Sequence, residues 1–440
     1  MLNGIDLRAR QALAEQIRED SWEAQLSIGV VAHPTSPDRC RVHTEPMRLG
    51  STRVARAFGI EQRWGPSAGG DCLDPVGSLL VALGASVTDS VVTHLTGEGC
   101  GPALVEVLPC VEFGSDGGPA ALSYEIRIDG DVSVEQARRA VAAARERGSA
   151  HHTLAEPNEI KAVVQTAQDV HLTSRPVPAG AEPGGPARRP TDENLPTEQT
   201  PRTATAPREP APAATEPGRP TQQPTDENLP TEQTPHTATA PREPAPAATE
   251  PGRPTQQPTD ENLPTEQTPH TDIHLTRRPV PAGAEPGGSA RRRAARVMWE
   301  VGTHVLAEVD GAQAESDQPK QLFGADLAPS AQEYVLTALA AEALGYTAPD
   351  TPGPDGPTAS VHTSGRVDLR GPYSADDSPA GLRNILVQLL PADPCGPDPV
   401  GAVRRWLAEG DALRLVRDAH PIEVGLVLDG VRVDPNPTTA

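Results

Sequence analysis

Apolar positions fall into strict register over residues 69–93, GGDCLDPVGSLLVALGASVTDSVVT. Val76, Leu79, Leu80, Leu83, Val87 and Val91 recur at the i, i+3, i+4, i+7 spacing that lays one stripe along a helix. The other side carries no charge before Asp89, and Ala82, Gly84, Ala85 and Ser86 are small. The spacing predicts a long helix enclosed on all sides, opened by a glycine pair and Asp74-Pro75. Polar residues interrupt it too often for a bilayer span.

The pattern recurs. Residues 332–343, QEYVLTALAAEA, superpose on residues 76–87 at a constant offset of 256, with Leu80/Leu336, Ala82/Ala338, Leu83/Leu339 and Ala85/Ala341 identical. Gly69-Gly70-Asp71 precedes the first copy and Gly324-Ala325-Asp326 the second. The chain reads as a tandem of two related domains.

Around the first helix the pattern predicts an amphipathic helix over 6–20 and a half-buried strand over 23–33. Further strands are expected within 39–64 and over 103–113 and 121–129, where Leu122, Tyr124, Ile126 and Ile128 alternate. Ser133-x-x-Gln136 is a capping box for a helix running to about residue 147, and 159–164 reads as a closing strand. Around the second helix, expected over 331–346, strands are predicted through Val297, Trp299 and Val301 and over 305–309. A loop at 349–357 and strands over 360–369 and 382–390 follow. The last elements are one helix over 399–416 and one strand over 422–433. Strands, helix, strands, helix, strand is an α+β order.

Between the two lies a different kind of sequence. TDENLPTEQTP begins at Thr191, Thr225 and Thr259, a period of 34 residues rich in proline and almost without large apolar side chains. Such units cannot bury enough surface to offset the entropy of ordering, so the period does not signal helical repeats. The expectation is a disordered Pro/Thr/Glu-rich linker over 169–292, with domains at 1–168 and 293–440. DVHLTSRPVPAGAEPGG from Asp169 and DIHLTRRPVPAGAEPGG from Asp272 bracket it.

The formal charge of −22 argues against a general nucleic-acid or membrane-surface binder, because phosphate would be repelled. The first residues, MLNGIDLRARQALAEQ, contain no apolar secretory core. Five cysteines (Cys40, Cys72, Cys100, Cys110, Cys395) are odd in number and form no CxxC. They suit reduced thiols in a cytoplasm better than a disulfide framework or a zinc site.

The repeated segment, a GG-D-x-x-P-x-E-x-L-L-x-A-L-x-A-C pattern, resembles the central helix of the OsmC/Ohr family of thiol peroxidases. Val367-Asp368-Leu369-Arg370-Gly371 is similar to that family's DLRG strand end, and His420-Pro421-Ile422 stands where Cys-Pro-Val or Ser-Pro-Val is usual. The resemblance covers both ends of the chain and not its middle. It implies two OsmC-like domains, antiparallel sheets wrapped around a central hydrophobic helix. The family forms intertwined homodimers, so a fused tandem implies pairing of the two domains within one chain; a long linker adds little to the closure entropy.

In the family a helix thiolate attacks a hydroperoxide, aided by an arginine and by a glutamate nine residues earlier, and a second cysteine resolves the product. Here the helix position carries Ser86 in the first domain and Glu342 in the second. The glutamate position carries Gly77 and Glu333. The resolving position falls at Ser149 in the first domain and at His420 in the second. A thiolate cannot be replaced by an alkoxide or a carboxylate in this chemistry, so the family's reaction is not expected.

The replacements leave a carboxylate–imidazole set, Glu342, His420 and Glu333, expected to meet in an interface cleft. Drift to a satisfied ion pair is the bland alternative; general acid/base work is the chemical one; the same three groups could also hold a divalent metal. His151-His152 would add two imidazoles, on opposite faces if they lie in a strand. No cofactor and no resident metal are expected, and the partner is expected to be a small-molecule ligand or substrate. Three functions stay open: a repurposed enzyme of specialised metabolism, a catalytically inactive binding or scaffold protein, and a residual thiol peroxidase using Cys72, Cys100 or Cys110.

Overall fold

The computed structural model describes residues 2–64, 70–114, 121–166, 169–176, 291–347, 359–391 and 398–436. In chain order the elements begin with α1 (Leu7–Glu19), β1 (Gln25–Ser36), β2 (Arg39–Thr44), β3 (Met47–Leu49), β4 (Thr52–Val54) and β5 (Gly59–Arg63). There follow α2 (Pro75–Gly97), β6 (Pro102–Phe113), β7 (Ala121–Gly130), α3 (Val134–Arg147), α4 (Ser149–Ala155), β8 (Ile160–Val164) and β9 (Val170–Ser174). The second half runs β10 (Arg291–Val301), β11 (His304–Val309), β12 (Ala312–Ser316), α5 (Ala331–Thr347), β13 (Ser360–Asp368) and β14 (Arg383–Leu390). It closes with α6 (Pro399–Glu409), α7 (Asp411–Arg417), β15 (Ile422–Leu428) and β16 (Val431–Val433). The fold is mixed α+β, with seven α-helices and two sheets among the described residues.

Helices α2 and α5 pack on each other in the middle, and most residues of each are buried. Asp74 caps α2, its Oδ1 accepting from the Gly77 amide at 2.7 Å, and Pro75 sits in the first turn, where a missing N–H costs nothing. A capping box opens α5: Glu333 Oε2 accepts from Ser330 N at 2.6 Å, and Ser330 Oγ accepts from Glu333 N at 3.4 Å. By length and composition α2 could cross a membrane, but 83% of its most apolar window is buried inside the protein. Small residues let the layers approach. A Cβ added at Gly84 would lie 2.3 Å from Val297 Cγ2 on β10, closer than real side chains come.

Each sheet is built from both halves of the chain. One runs β4-β3-β1-β13-β14-β8-β9, with β2 and β5 attached through β1; the other runs β12-β11-β10-β6-β7-β15-β16. β1 lies antiparallel to β13, Ile28 opposite Gly365, and β10 lies antiparallel to β6, Val297 opposite Val107. The closing strands are parallel to their neighbours: β8 to β14, Ile160 opposite Ile385, and β15 to β7, Ile422 opposite Leu122. The inward residues of β7, Leu122, Tyr124, Ile126 and Ile128, are all buried, as alternation requires. Thus β6 and β7 of the first half complete a sheet begun by β10 of the second, and β13 and β14 return the exchange.

Several elements differ from the expectations drawn from sequence. The helix expected over 399–416 is broken at Gly410, whose extended backbone (φ −61°, ψ 123°) ends α6 and starts α7. His151 and His152 lie in the short helix α4 rather than in a strand, after the equivalent corner at Gly148. The strand expected over 422–433 is a hairpin, with Asp429 and Gly430 at φ 46° and 78° between β15 and β16. Asp-Gly is the pair that tolerates positive φ at both positions of a tight hairpin turn. Residues 170–174, counted with the linker, form β9 on the edge of β8, and β10 begins at Arg291. The remainder of the expected linker, and the loop expected at 349–357, lie outside the described residues.

Candidate functional site

Glu342 projects from α5 onto the α6–α7 corner. Its Oε1 accepts from Ala412 N at 2.8 Å; its Oε2 accepts from Leu413 N at 2.9 Å and from Trp406 Nε1 at 3.0 Å. Ala412 and Leu413 are first-turn residues of α7, which has no side-chain cap of its own because Gly410 occupies that place. The carboxylate therefore serves as the helix cap from another element, satisfying N–H groups that would otherwise be left over. Burial pushes its carboxyl above the usual range, opposed by the two backbone N–H donors and the indole.

Ser86 repeats the arrangement in the first half. It is buried on α2, and its Oγ accepts from Ala150 N at 3.1 Å at the start of α4. Ser149 Oγ lies 3.5 Å from Ser86 Oγ and accepts from Gln332 Nε2 of α5 at 2.6 Å. Gly77 stands in the first turn of α2, where an added Cβ would meet Asp74 Oδ1 at 3.1 Å and Val309 Cγ1 at 3.2 Å. Val309 of β11 closes the space beside Gly77.

Glu333 is fully buried and belongs to a different cluster. Arg56, its side chain likewise shielded from solvent, places Nη2 3.2 Å from Glu333 Oε2 and Nη1 2.9 Å from Asp326 Oδ1. It also donates to the Ala328 carbonyl at 2.6 Å and lies over the Phe58 ring. Burial raises the Glu333 carboxyl, with Arg56 and the Ser330 donors pulling it back. Glu333 Oε1, Arg56 Nε and Thr337 Oγ1 are buried without a hydrogen-bond partner. Sequence reading missed Arg56, although a signal existed. Val54, Arg56 and Ile60 are buried on one inward-facing alternation, and an arginine there needs an acidic partner.

The expected pairing of Glu342 with His420, direct or through one water, is not a direct hydrogen bond. His420 is buried, and its Nε2 lies 3.3 Å from the Arg414 carbonyl, while both Glu342 oxygens are occupied elsewhere. Ile160 and Ile422 open the equivalent closing strands, and Gly148 and Gly410 form the equivalent corners, both at a shift of 262 residues. Under that shift His420 corresponds to Asn158 and Ser149 to Asp411, so the two resolving positions taken from the sequence are not equivalent. Asn158 is buried and donates from Nδ2 to the Thr153, Glu156 and Val416 carbonyls, joining the ends of α4 and α7. Among the described residues no group of three or more His, Cys, Asp or Glu is placed to hold a metal ion. Glu333, Glu342 and His420 do not form such a set.

The histidine pair and the described cysteines are buried or partly buried. His151 Nδ1 lies 3.2 Å from the Tyr124 hydroxyl, and burial, reinforced by His152, lowers its pKa to about 4. His152 is engaged by Glu156 and by the Glu146 carbonyl, each at 2.8 Å. Cys40, Cys72, Cys100 and Cys110 are free thiols. Burial raises the first three above the ordinary thiol value, which disfavours the reactive thiolate. Cys110 receives a hydrogen bond from Arg292 Nε at 3.1 Å, and Cys395 lies outside the described residues. Compared with protein-family models and with curated proteins, the sequence matches none.

Proposed function

We infer that the chain is a catalytically inactive binding or scaffold protein of OsmC/Ohr-like descent, a fold kept for the surface that its two intertwined halves present. Glu342 carries this reading: at the position where the resemblance places the attacking thiol, both carboxylate oxygens are committed to Ala412 N, Leu413 N and Trp406 Nε1. Ser86 is committed in the same way to Ala150 N. A general base needs a lone pair directed at substrate, and these oxygens are directed at helix termini. Cytoplasmic residence and a small-molecule ligand or a protein partner belong to the same proposal, and the free thiols agree with the compartment.

A second reading, a repurposed enzyme, draws on one observation: Glu333 Oε1 and Arg56 Nε are buried and unpartnered. One experiment separates the two. In a strain whose phenotype depends on the gene, Glu333→Gln and Glu342→Gln proteins that fold with wild-type cooperativity are expected to complement fully. Loss of complementation by either variant with unchanged melting behaviour overturns the scaffold reading and restores acid/base chemistry. Turnover of an organic hydroperoxide with a dithiol reductant, abolished by Cys110→Ser, would instead assign the protein to residual peroxidase activity.

A further inference from the structure

Taken apart, neither half of the chain holds a sheet together. Residues 2–176 alone would keep three fragments: β4-β3-β1 with β2 and β5, the pair β6-β7, and the pair β8-β9. Residues 291–436 would keep the matching three, β12-β11-β10, β13-β14 and β15-β16. Four seams between the halves join these fragments: β1 to β13, β14 to β8, β10 to β6 and β7 to β15. Without its complement, each strand at a seam would present a bare row of N–H and C=O groups, a template for another strand. The interface is therefore of the obligate kind, a core divided between two partners.

Polar contacts cross the same interface. Arg56 meets Glu333 at 3.2 Å with both side chains shielded from solvent, and Arg293 Nη1 lies 2.5 Å from Asp74 Oδ2. Gln332 Nε2 donates to Ser149 Oγ at 2.6 Å, and Asn158 Nδ2 to the Val416 carbonyl at 2.9 Å. Removing either half would strand a buried charge in the other. All of these contacts lie within residues 2–176 and 291–436, and the described cysteines are free. Residues 177–290, about 115 in number, reach at most about 400 Å when drawn out, so length does not confine either half to the complement on its own chain.

We propose that the two halves recognise each other as the subunits of an obligate dimer do, and that either half accepts its complement from a second copy of this chain. A second copy carries the same β13, in register from Val361 to Asp368, to lie against Ala32 to Gln25 of β1, and the same Glu333 for Arg56. Two chains that trade halves make two complete folds, with no contact that a single chain does not already make. The interaction surface is the set of four seams, and its partner is a copy of the chain.

Disulfides across a seam test it. Ser27 and Arg366 lie opposite each other on the outward face of β1 and β13, where a cross-strand bridge is within reach. In one full-length chain, Ser27→Cys with Arg366→Cys is expected to link nearly completely, at the mass of one chain or of two. To detect exchange, one full-length chain carries Ser27→Cys and a second, differently tagged, carries Arg366→Cys, and both are synthesised in the same cell. A control pair replaces Arg366→Cys with Arg404→Cys, which is exposed on α6. The seam pair is expected to link at twice the chain mass at least about tenfold more than the control pair, because cysteines facing each other in one assembly react far above the collision level. Equal yields from the two pairs overturn the proposal. A double variant that links at neither mass overturns it as well, since β1 and β13 then do not join the halves. The same comparison across β7 and β15, Ser123→Cys against Glu423→Cys, gives an answer even where the first pair fails to fold.

Discussion

Ser86 and Glu342 perform the same task in opposite halves of the chain. Each takes the amide of an alanine in the first turn of a short helix that follows a glycine corner: Ala150 N at 3.1 Å from Ser86 Oγ, Ala412 N at 2.8 Å from Glu342 Oε1. The central helices thus support the corners α3–α4 and α6–α7 from beneath, by a hydroxyl in one half and a carboxylate in the other. Glu342 satisfies three donors to the serine's one backbone donor. Glu342→Ala is expected to cost about 2–4 kcal/mol, from a lost cap and stranded buried donors. Ser86→Ala should cost about 1 kcal/mol. Urea unfolding of the two variants gives both numbers, and a Glu342→Ala protein as stable as Ser86→Ala would refute the capping role.

Removing Arg56 should leave Glu333 buried beside Asp326 without its counter-charge. Arg56→Leu is expected to destabilise by about 3–5 kcal/mol, and Arg56→Leu/Glu333→Leu to recover a substantial part of that loss. The double-mutant cycle reads the coupling. Strictly additive costs would mean that the pair is not interacting as its 3.2 Å separation indicates.

His151 makes stability pH-dependent. Its folded pKa of about 4 lies below the ordinary 6.5, so the neutral ring stabilises the fold above pH 6.5. That contribution is lost as pH falls towards 4, when the unfolded chain takes up the proton first. The difference of roughly 2.5 units corresponds to about 3 kcal/mol. Glu333 and Glu342, whose carboxyls are raised, act in the opposite sense, favouring the folded state as pH falls. The His151 contribution is therefore read as the difference between wild type and His151→Gln in unfolding free energy at pH 7 and pH 4. A difference that does not change between these pH values would contradict the assignment.

Gly84 and Val297 should behave as a packed pair. Gly84→Ala gains about 0.5–1 kcal/mol of helix propensity but forces a Cβ to within 2.3 Å of Val297 Cγ2, an overpacking cost of about 1–3 kcal/mol. A net loss is expected, and Val297→Ala in the same protein should relieve it, so that the double variant is more stable than the sum of the two single costs. Melting temperatures of the four proteins measure this directly.

The central helices were legible because they are enclosed on nearly every side, and their apolar spacing is repeated at a fixed offset. The exchange of strands was not, because alternation along β1 says which face is buried and nothing about which strand lies beside it. Its neighbour β13 is more than three hundred residues away. The corner at Gly410 lies inside a run with continuous helical patterning, where only the glycine marks the break. At the site, the offset of 256 that aligns the helices becomes 262 at the closing strands, so positions carried past the helix lose register. The counterpart of His420 is therefore Asn158 and not Ser149. The partners of Glu342 have a physical reason as well: a carboxylate facing a helix N-terminus is satisfied there by backbone N–H groups.

The exchange of β6, β7 and β13, β14 between sheets has a consequence for synthesis. When β9 has left the ribosome, β1 still lacks its neighbour β13 and β6 still lacks β10, with roughly 115 residues to be translated before β10 begins. At about 5–20 residues per second that delay is on the order of 6–20 seconds. For this time α2, the most apolar helix among the described residues, waits without α5 against it, beside two bare strand edges. A nascent chain in that condition is a natural client for a ribosome-bound chaperone.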